Sequence, residues 1–187
     1  MLTHKGTQDI RTERLLLRRF KLTDAEEMYA NWESDVEVTR FLSWSAHESV
    51  DETREILEKW IAECEREDTY HWAIERDGEV IGDLNVFNMS DKHSSCELGY
   101  VMSRANWGNG YMTEAVRGAI DFLFGEVNMH RIAARHATEN AASGSVMQKA
   151  GMLHEGTFRK VRLNRQGEYY DLENYAILRE EWETNKA

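Results

Sequence analysis

A strand, a glycine-containing loop and an amphipathic helix follow one another in the middle of the chain, and this order constrains the fold most. Residues 96–102 (CELGYVM) have the composition of a short strand, and residues 107–115 (WGNGYMTEA) lead from it into a helix. The apolar positions of that helix recur with a period of about 3.6 residues; they are Met112, Ala115, Val116, Ala119, Ile120 and Leu123. Backbone N–H groups converge at a helix N-terminus, and the helix dipole adds partial positive charge there. The segment therefore predicts an anion site, and we expect a phosphate-bearing ligand.

Two features that the loop lacks narrow the identity of the anion. A Walker A loop needs a lysine after its second glycine, and residues 107–115 contain no lysine. The dinucleotide fingerprint needs a third glycine three residues after the second, where this chain has Thr113. Nucleoside triphosphates and NAD are therefore disfavoured. A simple Gly-Asn-Gly turn before an ordinary helix stays open as the alternative at this point.

Length and composition indicate one globular domain, spanning residues 1–187. The chain is 41% hydrophobic and includes six tryptophans, which is enough for a sizeable core. No apolar run reaches the length of a membrane span, and the polar first ten residues lack the core of a signal peptide. We therefore expect a cytoplasmic protein with no membrane partner. Two cysteines, Cys64 and Cys96, form no disulfide framework, and no metal-binding spacing occurs, so no metal is expected.

The chain is acidic, with a formal net charge of −11 at pH 7. Non-specific nucleic-acid binding depends on basic surface, so nucleic acid is not an expected partner. An acidic surface instead favours the approach of cationic substrates. One basic segment, residues 159–165 (RKVRLNR), contrasts with this surface. It is typical of a solvated hairpin edge, and a contact for an acidic substrate segment is the alternative.

The periodicity predicts an α+β fold with three layers, in which helices cover both faces of one mixed sheet. The predicted strands are residues 14–20, 71–76, 80–88, 95–102, 131–137, 152–163 and 167–179. The predicted helices are residues 23–32, 49–64, the helix that follows the loop and ends near 125, and 140–150. Turns are expected at Asp77-Gly78 and at residues 164–167.

Five segments in this order carry a resemblance to a known family. They are residues 11–18 (RTERLLLR), 96–100 (CELGY), 107–115 (WGNGYMTEA), 140–151 (NAASGSVMQKAG) and 180–182 (EEW). Over nearly its whole length the chain resembles the GNAT family of acyl-CoA-dependent N-acyltransferases. It is most similar to the Rim-type branch, which includes ribosomal-protein N-terminal acetyltransferases. The resemblance implies a GNAT-like fold whose central sheet is splayed between the fourth and fifth strands, with acetyl-CoA as cosubstrate.

The resemblance also implies which residues bind acetyl-CoA. Backbone N–H groups from about Gly108 to Thr113 are expected to hold the pyrophosphate, while Asn140 bonds the pantetheine arm. Lys149 is either a contact for a CoA phosphate or a solvated lysine. The full set of expected cofactor contacts is Tyr100, Val101, Met102, Trp107, Gly108, Asn109, Gly110, Tyr111, Met112, Thr113, Asn140 and Ser143.

Attack of an amine on a thioester needs a neutral amine, an oxyanion donor and a proton for the leaving thiolate. The resemblance places the backbone N–H near Val101 at the oxyanion. Glu97 shares a strand face with Gly99 and Val101, so we expect it to act as general base, directly or through water. A glutamate paired with an arginine or facing solvent is the structural alternative, and His136 and His71 are the other candidate bases.

The general acid departs from the common family pattern. Many members have a tyrosine where this chain has Met147, which cannot donate a proton. Ser143 is the expected substitute, with Ser145 as the second candidate. The methionine keeps open a CoA-binding module that has lost catalysis and serves as a sensor.

The ordinary pKa values of amines indicate which kind of acceptor is expected. An α-amine titrates near 7.7–8.0 and a lysine near 10.4, so the α-amine is neutral far more often at pH 7. This favours an α-amine, such as a protein N-terminus in ribosomal-protein acetylation, or a polyamine-like amine of lowered pKa, and leaves lysine open. A small-molecule amine, such as an antibiotic or a polyamine, is the alternative. The branch predicts a monomer or a homodimer.

Overall fold

One mixed sheet runs through the part of the chain that the computed structural model describes, residues 2–165 and 167–186. Its eight strands are β1 (Ile10–Arg11), β2 (Leu16–Arg18), β3 (His71–Arg76), β4 (Glu79–Ser90), β5 (Ser95–Met102), β6 (Arg131–Ala137), β7 (Leu153–Leu163) and β8 (Tyr169–Leu178). Their spatial order is β1-β2-β3-β4-β5-β6-β8-β7. Among the described strands, β5 and β6 form the parallel pair, and the other neighbours run antiparallel.

Helices cover both faces of the sheet, as the sequence predicts. They are α1 (Ala25–Met28), α2 (Val50–Glu63), α3 (Tyr111–Gly125), α4 (Ala141–Lys149) and α5 (Arg179–Lys186). The apolar face of α3 joins Cys96 and Leu98 of β5 in the larger core. On the other face, α1 and α2 pack with Val101 in a second core. The predicted alternation of side chains along β5 is therefore confirmed. No helix in the described ranges is long and apolar enough to cross a membrane.

The sheet opens where β5 and β6 diverge. These strands pair only over Ser95–Leu98 and Arg131–Ala134 within the described residues. Beyond that point β5 stays paired with β4 as far as Met102, and β6 stays paired with β8 as far as Ala137. The two halves of the sheet therefore separate as a V. This confirms the expected splay between the fourth and fifth predicted strands, which are β5 and β6.

The N-terminal region differs from the sequence-based prediction. The first predicted strand, residues 14–20, is reduced to β2, because the chain turns tightly before it: the Thr12 N–H donates to Leu15 O at 3.0 Å. The short strand β1 then pairs with β2. The predicted helix 23–32 is broken into a 3₁₀ turn (Leu22–Asp24), α1 and a π-helical segment (Tyr29–Glu33).

Local hydrogen bonds explain this broken helix. The Asp24 carboxylate, rather than Thr23, caps the first turn by accepting from the Lys21 N–H at 2.8 Å. The π-helical segment ends where the Ser34 N–H reaches back to Tyr29 O at 3.2 Å. Its extra residue per turn directs the side chains of Trp32 and Glu33 into the core.

The C-terminus also differs from prediction, because the sequence predicted no helix there. The helix α5 begins at residue 179, where the last predicted strand was expected to end. Trp182 of this helix packs on Phe124 and donates to Asp121 Oδ1 at 2.6 Å. The other strand and helix predictions hold to within a few residues. The predicted turn at 164–167 includes residue 166, which lies outside the described residues.

Candidate active site

A cavity of about 450 Å³ occupies the opening between β5 and β6 and has lining residues on both faces of the sheet. We call the part beside α4 the α4 half; it is lined by Leu98, Tyr100, His136, Asn140 and Ser143. We call the part beside α2 the α2 half; it is lined by Trp44, Trp60, His71, Asp83, Asn85, Phe87 and Gly99. Two reactants can therefore meet at the strands from opposite faces of the sheet.

The loop before α3 has the backbone of an anion site. Gly108 and Gly110 have φ values of 77° and 80°, in the left-handed region that favours glycine. Gly110 is the N-cap of α3, and the Glu114 N–H is bonded to Gly110 O at 3.0 Å. The N–H groups of the first helical turn have no partner inside a helix, so here they are available to an anion.

Side chains on either side of the loop hold it in place. The Trp107 indole donates to Met102 O at 2.7 Å, although half of the side chain is exposed. Arg14 donates to Asn109 O at 3.1 Å and pairs with Glu114 at 2.7 Å. Tyr111 and Met112 are buried in the larger core, so their side chains pack there. The Trp107 indole is engaged by Met102 O, and the loop offers backbone N–H groups as anion ligands.

Tyr100 and Ser143 meet in the α4 half. The Tyr100 hydroxyl lies 3.0 Å from Ser143 Oγ and donates to Ser143 O at 3.1 Å. Burial raises the pKa of Tyr100 well above its usual range, so the phenolate form is disfavoured. Asn140 caps α4 by accepting from the Ser143 N–H at 3.3 Å. The arrangement brings a protonated hydroxyl pair to the cavity wall.

The other residues considered on α4 lie elsewhere. Met147, at the place of the common family tyrosine, is buried in the larger core. Ser145 is not among the residues that line the cavity. Lys149 is exposed, and its carbonyl oxygen accepts from Arg117 Nε at 3.0 Å. Of the candidate proton donors on this helix, Ser143 is the one at the cavity.

His136 lies in the α4 half with one ring nitrogen engaged. Its Nδ1 donates to Ala137 O at 2.7 Å, so that nitrogen carries a proton. Its buried Nε2 has no hydrogen-bond partner within the described residues. A Cβ on Gly144 would lie 2.6 Å from this Nε2, so the close approach of α4 requires glycine there. The ring leaves one acceptor nitrogen beside the cavity.

Glu97 is held by polar neighbours at the point where β5 and β6 still pair. Arg135 Nε donates to Glu97 Oε2 at 3.0 Å, and a second guanidinium nitrogen contacts the same oxygen. Asn88 donates to Oε1 at 3.2 Å. Glu97 lines a smaller cavity of about 250 Å³, and Arg135 lines both this and the larger one. The pairing with an arginine, left open by the sequence, is present, and Arg135 separates Glu97 from the main cavity.

The α2 half contains a buried ionisable pair. His71 Nε2 lies 3.4 Å from Asp83 Oδ1, and both side chains are buried. Sequence reasoning named His71 only as an alternative base and missed Asp83. The available signal was an acidic residue in the middle of an otherwise apolar strand (VIGDLNV), because such a residue is rarely buried without a partner.

A second carboxylate lies behind this pair. Glu33 accepts from the indole nitrogens of Trp32 (3.0 Å) and Trp44 (2.8 Å). Burial, and then the negative charge of Asp83, raise the pKa of Glu33 to about 7. The α2 half therefore has an acidic wall beside aromatic rings. No group of three or more histidine, cysteine or acidic side chains in the described ranges is arranged to hold a metal ion.

Comparison with known proteins agrees with this geometry. A family model described as the acetyltransferase (GNAT) domain matches residues 14–153. The uncharacterized N-acetyltransferase YoaA of Bacillus subtilis is 30% identical over 172 residues, covering 91% of this chain and 96% of YoaA. An alanine N-acetyltransferase of ribosomal protein uS5 from Escherichia coli is 30% identical over 105 residues, covering 56% of this chain and 54% of that enzyme.

Solved structures extend the agreement to the fold. A GNAT-family acetyltransferase from Bacillus anthracis superimposes with a TM-score of 0.82 at 28% identity, covering 92% of this chain and 99% of that one. The family model spans well over half of the chain, and it includes β5, the loop and α4. The chain belongs to the GNAT family of acetyltransferases.

Proposed function

We propose that this acetyltransferase moves the acetyl group of acetyl-CoA to a primary amine, with the two reactants entering from opposite faces of the sheet. The cavity at the β5–β6 opening carries this proposal, because it joins the region beside α4 to an acidic, aromatic region beside α2. The activated thioester is the chemistry that acetyl-CoA supplies. The side chains and backbone of the protein bind it, orient the amine and move protons.

The residues present fit acetyl-CoA. Gly108 and Gly110 have left-handed backbone conformations in the loop that leads into α3. At the N-terminus of α3, hydrogen bonds from backbone N–H groups and the helix dipole favour a pyrophosphate. Beside α4, the unpartnered His136 Nε2 and the Asn140 side chain are polar groups suited to the amides of a pantetheine arm. Gly144 allows this close packing.

The backbone N–H near Val101 is the proposed oxyanion donor. Val101 pairs with Asp83, and the bond from the Ser103 N–H to Ile81 O at 2.8 Å indicates that the Val101 N–H faces β4. The neighbouring N–H groups of Tyr100 and Met102 therefore face the edge of β5 that has left β6 and borders the cavity. A donor aimed at a developing oxyanion contributes about 3 to 4 kcal/mol in other enzymes.

Ser143 is the proposed proton donor to the thiolate, and the Tyr100 hydroxyl is its hydrogen-bond partner. The two hydroxyl oxygens lie 3.0 Å apart, so Tyr100 can pass a proton to Ser143 after the first is given, and a proton from solvent then restores Tyr100. This pair weakens the alternative of a catalytically inactive module, because a protonated hydroxyl is available although Met147 cannot supply one. Ordinary thiols have a pKa near 8.5, so the help needed from an acid is modest.

Glu97 is the proposed proton acceptor, acting through water. It lies on the same face of β5 as Gly99 and Val101, about 7 Å from Gly99 and about 13 Å from Val101 along the strand, so water must bridge it to the amine. Arg135 and Asn88 fix the position of its carboxylate. A carboxylate has about four acceptor sites, so a bridging water can still bond to it.

The N-terminal α-amine of a protein, including a ribosomal protein, is the proposed acceptor. The similarity to the uS5-alanine enzyme and the lower pKa of α-amines support it. A small-molecule amine is the second candidate, favoured by the acidic wall of the α2 half. The cytoplasmic location and the monomeric or homodimeric state stay predictions.

The acceptor is tested by incubating the protein and acetyl-CoA with N-terminal peptides, polyamines and aminoglycoside antibiotics. Free thiol and acetylated product are then measured by thiol titration and mass spectrometry. We expect peptides to accelerate thiol release more than the small amines do. Faster turnover with a small amine would replace the peptide proposal, and no acceleration by any amine would favour the CoA-binding module.

A further inference from the structure

We propose that His71 and Asp83 form the binding site for the amino group of the acceptor, a step that rests on the proposed function. The two side chains come from neighbouring strands, β3 and β4, and point to the α2 face of the sheet. They are 93% and 95% buried, given relative exposures of 7% and 5%. Both line the cavity at the β5–β6 opening.

Each member of the pair keeps one polar atom without a partner. His71 Nε2 and Asp83 Oδ2 are buried and make no hydrogen bond within the described residues. The nearest approach between the two side chains is 3.4 Å, from His71 Nε2 to Asp83 Oδ1. Buried polar atoms are nearly always hydrogen-bonded, so two such atoms on one cavity wall indicate a ligand that supplies donors.

A primary ammonium group matches this demand. It carries three N–H donors and one positive charge, and the unpartnered Asp83 Oδ2 is a carboxylate acceptor. An alcohol or thiol brings only one donor and no charge. The site therefore selects primary amines over hydroxyl and thiol acceptors.

The surroundings favour a cation with an apolar flank. The Trp60 ring lies 4.3 Å from the His71 ring, centroid to centroid, and Trp44 and Phe87 also line this half. Trp44 is held by its bond to Glu33, which lies behind the wall. Aromatic faces attract cations, and the Asp83 carboxylate repels an acidic flank.

The location is suited to transfer. Asp83 pairs with Val101 across β4 and β5, and His71 lies in the next row with Asn85 and Gly99. A Cβ on Gly99 would lie 2.6 Å from Asn85 Oδ1, so any larger residue at position 99 would collide with Asn85 on the wall of the α2 half. An amine bonded to Asp83 is therefore next to the proposed oxyanion donor near Val101. The acceptor class that follows is a primary amine with an uncharged group beside it.

The test compares the parent protein with Asp83→Asn, which keeps the shape of the side chain and removes its charge. n-Butylamine is the probe, titrated by NMR into protein saturated with CoA, and n-butanol is the uncharged control. We expect at least a tenfold weaker Kd for n-butylammonium in D83N. In turnover with a peptide N-terminus and with 1,4-diaminobutane, KM for each amine rises similarly, while KM for acetyl-CoA changes less than threefold.

Asp91→Asn is the matched control, because Asp91 also contacts a histidine, His4 at 3.2 Å, but is exposed on a turn. This variant is expected to behave as the parent. If D83N does not fold, His71→Phe serves instead, since it keeps the ring against Trp60 and removes the acceptor nitrogen.

Unchanged n-butylammonium affinity in the variant, or equal binding of n-butanol, would overturn the inference. A failure of the proposed function gives a different pattern: n-butylammonium binds through Asp83, yet no amine is acetylated. A rise in KM for only one of the two acceptors identifies whether a peptide or a diamine uses this site.

Discussion

The hydroxyl of Tyr100 lies 3.0 Å from that of Ser143, which joins β5 to the first turn of α4 across the cavity. We propose that this hydroxyl pair supplies the proton that a single tyrosine at the position of Met147 supplies in many members of the family, since Met147 is buried and cannot donate one.

Replacing Ser143 with alanine is expected to lower kcat by about tenfold, below the usual range for an acid catalyst, because a thiolate leaves without much help. KM for acetyl-CoA should change little. Steady-state kinetics measure both parameters. Ser145→Ala is the control, since Ser145 does not line the cavity. Equal losses in the two variants would remove Ser143 from the proposed role.

Replacing Gly110 with valine is expected to abolish acetyl-CoA binding. A β-branched residue is strained by about 1–2 kcal/mol or more at the φ of 80° found here, and relaxation of the loop moves its N–H groups. Calorimetric titration with CoA measures the effect. Gly78→Val is the control, because Gly78 has a φ of 88° in the turn between β3 and β4, outside the loop. CoA affinity that survives in G110V would contradict the phosphate-loop assignment.

Replacing Glu97 with glutamine is expected to lower turnover by about 10²- to 10⁴-fold, with a smaller deficit at high pH where the amine is already neutral. A pH–rate profile of kcat/KM measures it. Glu155→Gln is the matched control, since Glu155 pairs with Arg131 of the same strand that carries Arg135. A loss under threefold in E97Q would show that proton removal does not pass through Glu97.

Glu33 should make stability depend on pH. Its pKa is raised from 4.5 to about 7, so between these values the folded state holds a proton that the unfolded state has released. Stability therefore falls as pH rises through this window, by about 3 kcal/mol at 1.36 kcal/mol per unit. Urea unfolding of the parent and of Glu33→Gln at pH 5 and pH 8 measures it. The free energy of unfolding of the variant should rise relative to that of the parent at pH 8. The same difference between the two proteins at pH 5 and at pH 8 would contradict the raised pKa of Glu33.

The sequence predicted the parts of the site that rest on local pattern. The alternation along β5 and the glycine loop before α3 follow from the spacing of a few neighbouring residues, and the structure has both. The splay between β5 and β6 came from family resemblance, since nothing local specifies where two strands part.

The rest depends on contacts between distant segments. The π-helical turn that buries Glu33 arises from the Ser34–Tyr29 bond, and the Asp83–His71 pair forms only when β3 and β4 align. The strand order β6-β8-β7 places the last strand inside the sheet, which the order along the chain does not reveal. The helix α5 is stabilised by Trp182 against Phe124, about sixty residues away in the chain.

The central claim is acetyl transfer to an amine that is held in the α2 half. The most direct measurement follows product formation from acetyl-CoA by mass spectrometry, with N-terminal peptides and small amines offered to the parent, D83N and D91N. If Asp83 holds the amine, the parent and D91N produce acetylated amine, and D83N has at least a tenfold lower kcat/KM for the amine. Acetylation that is equal in all three proteins, or absent from the parent with every amine, would contradict it.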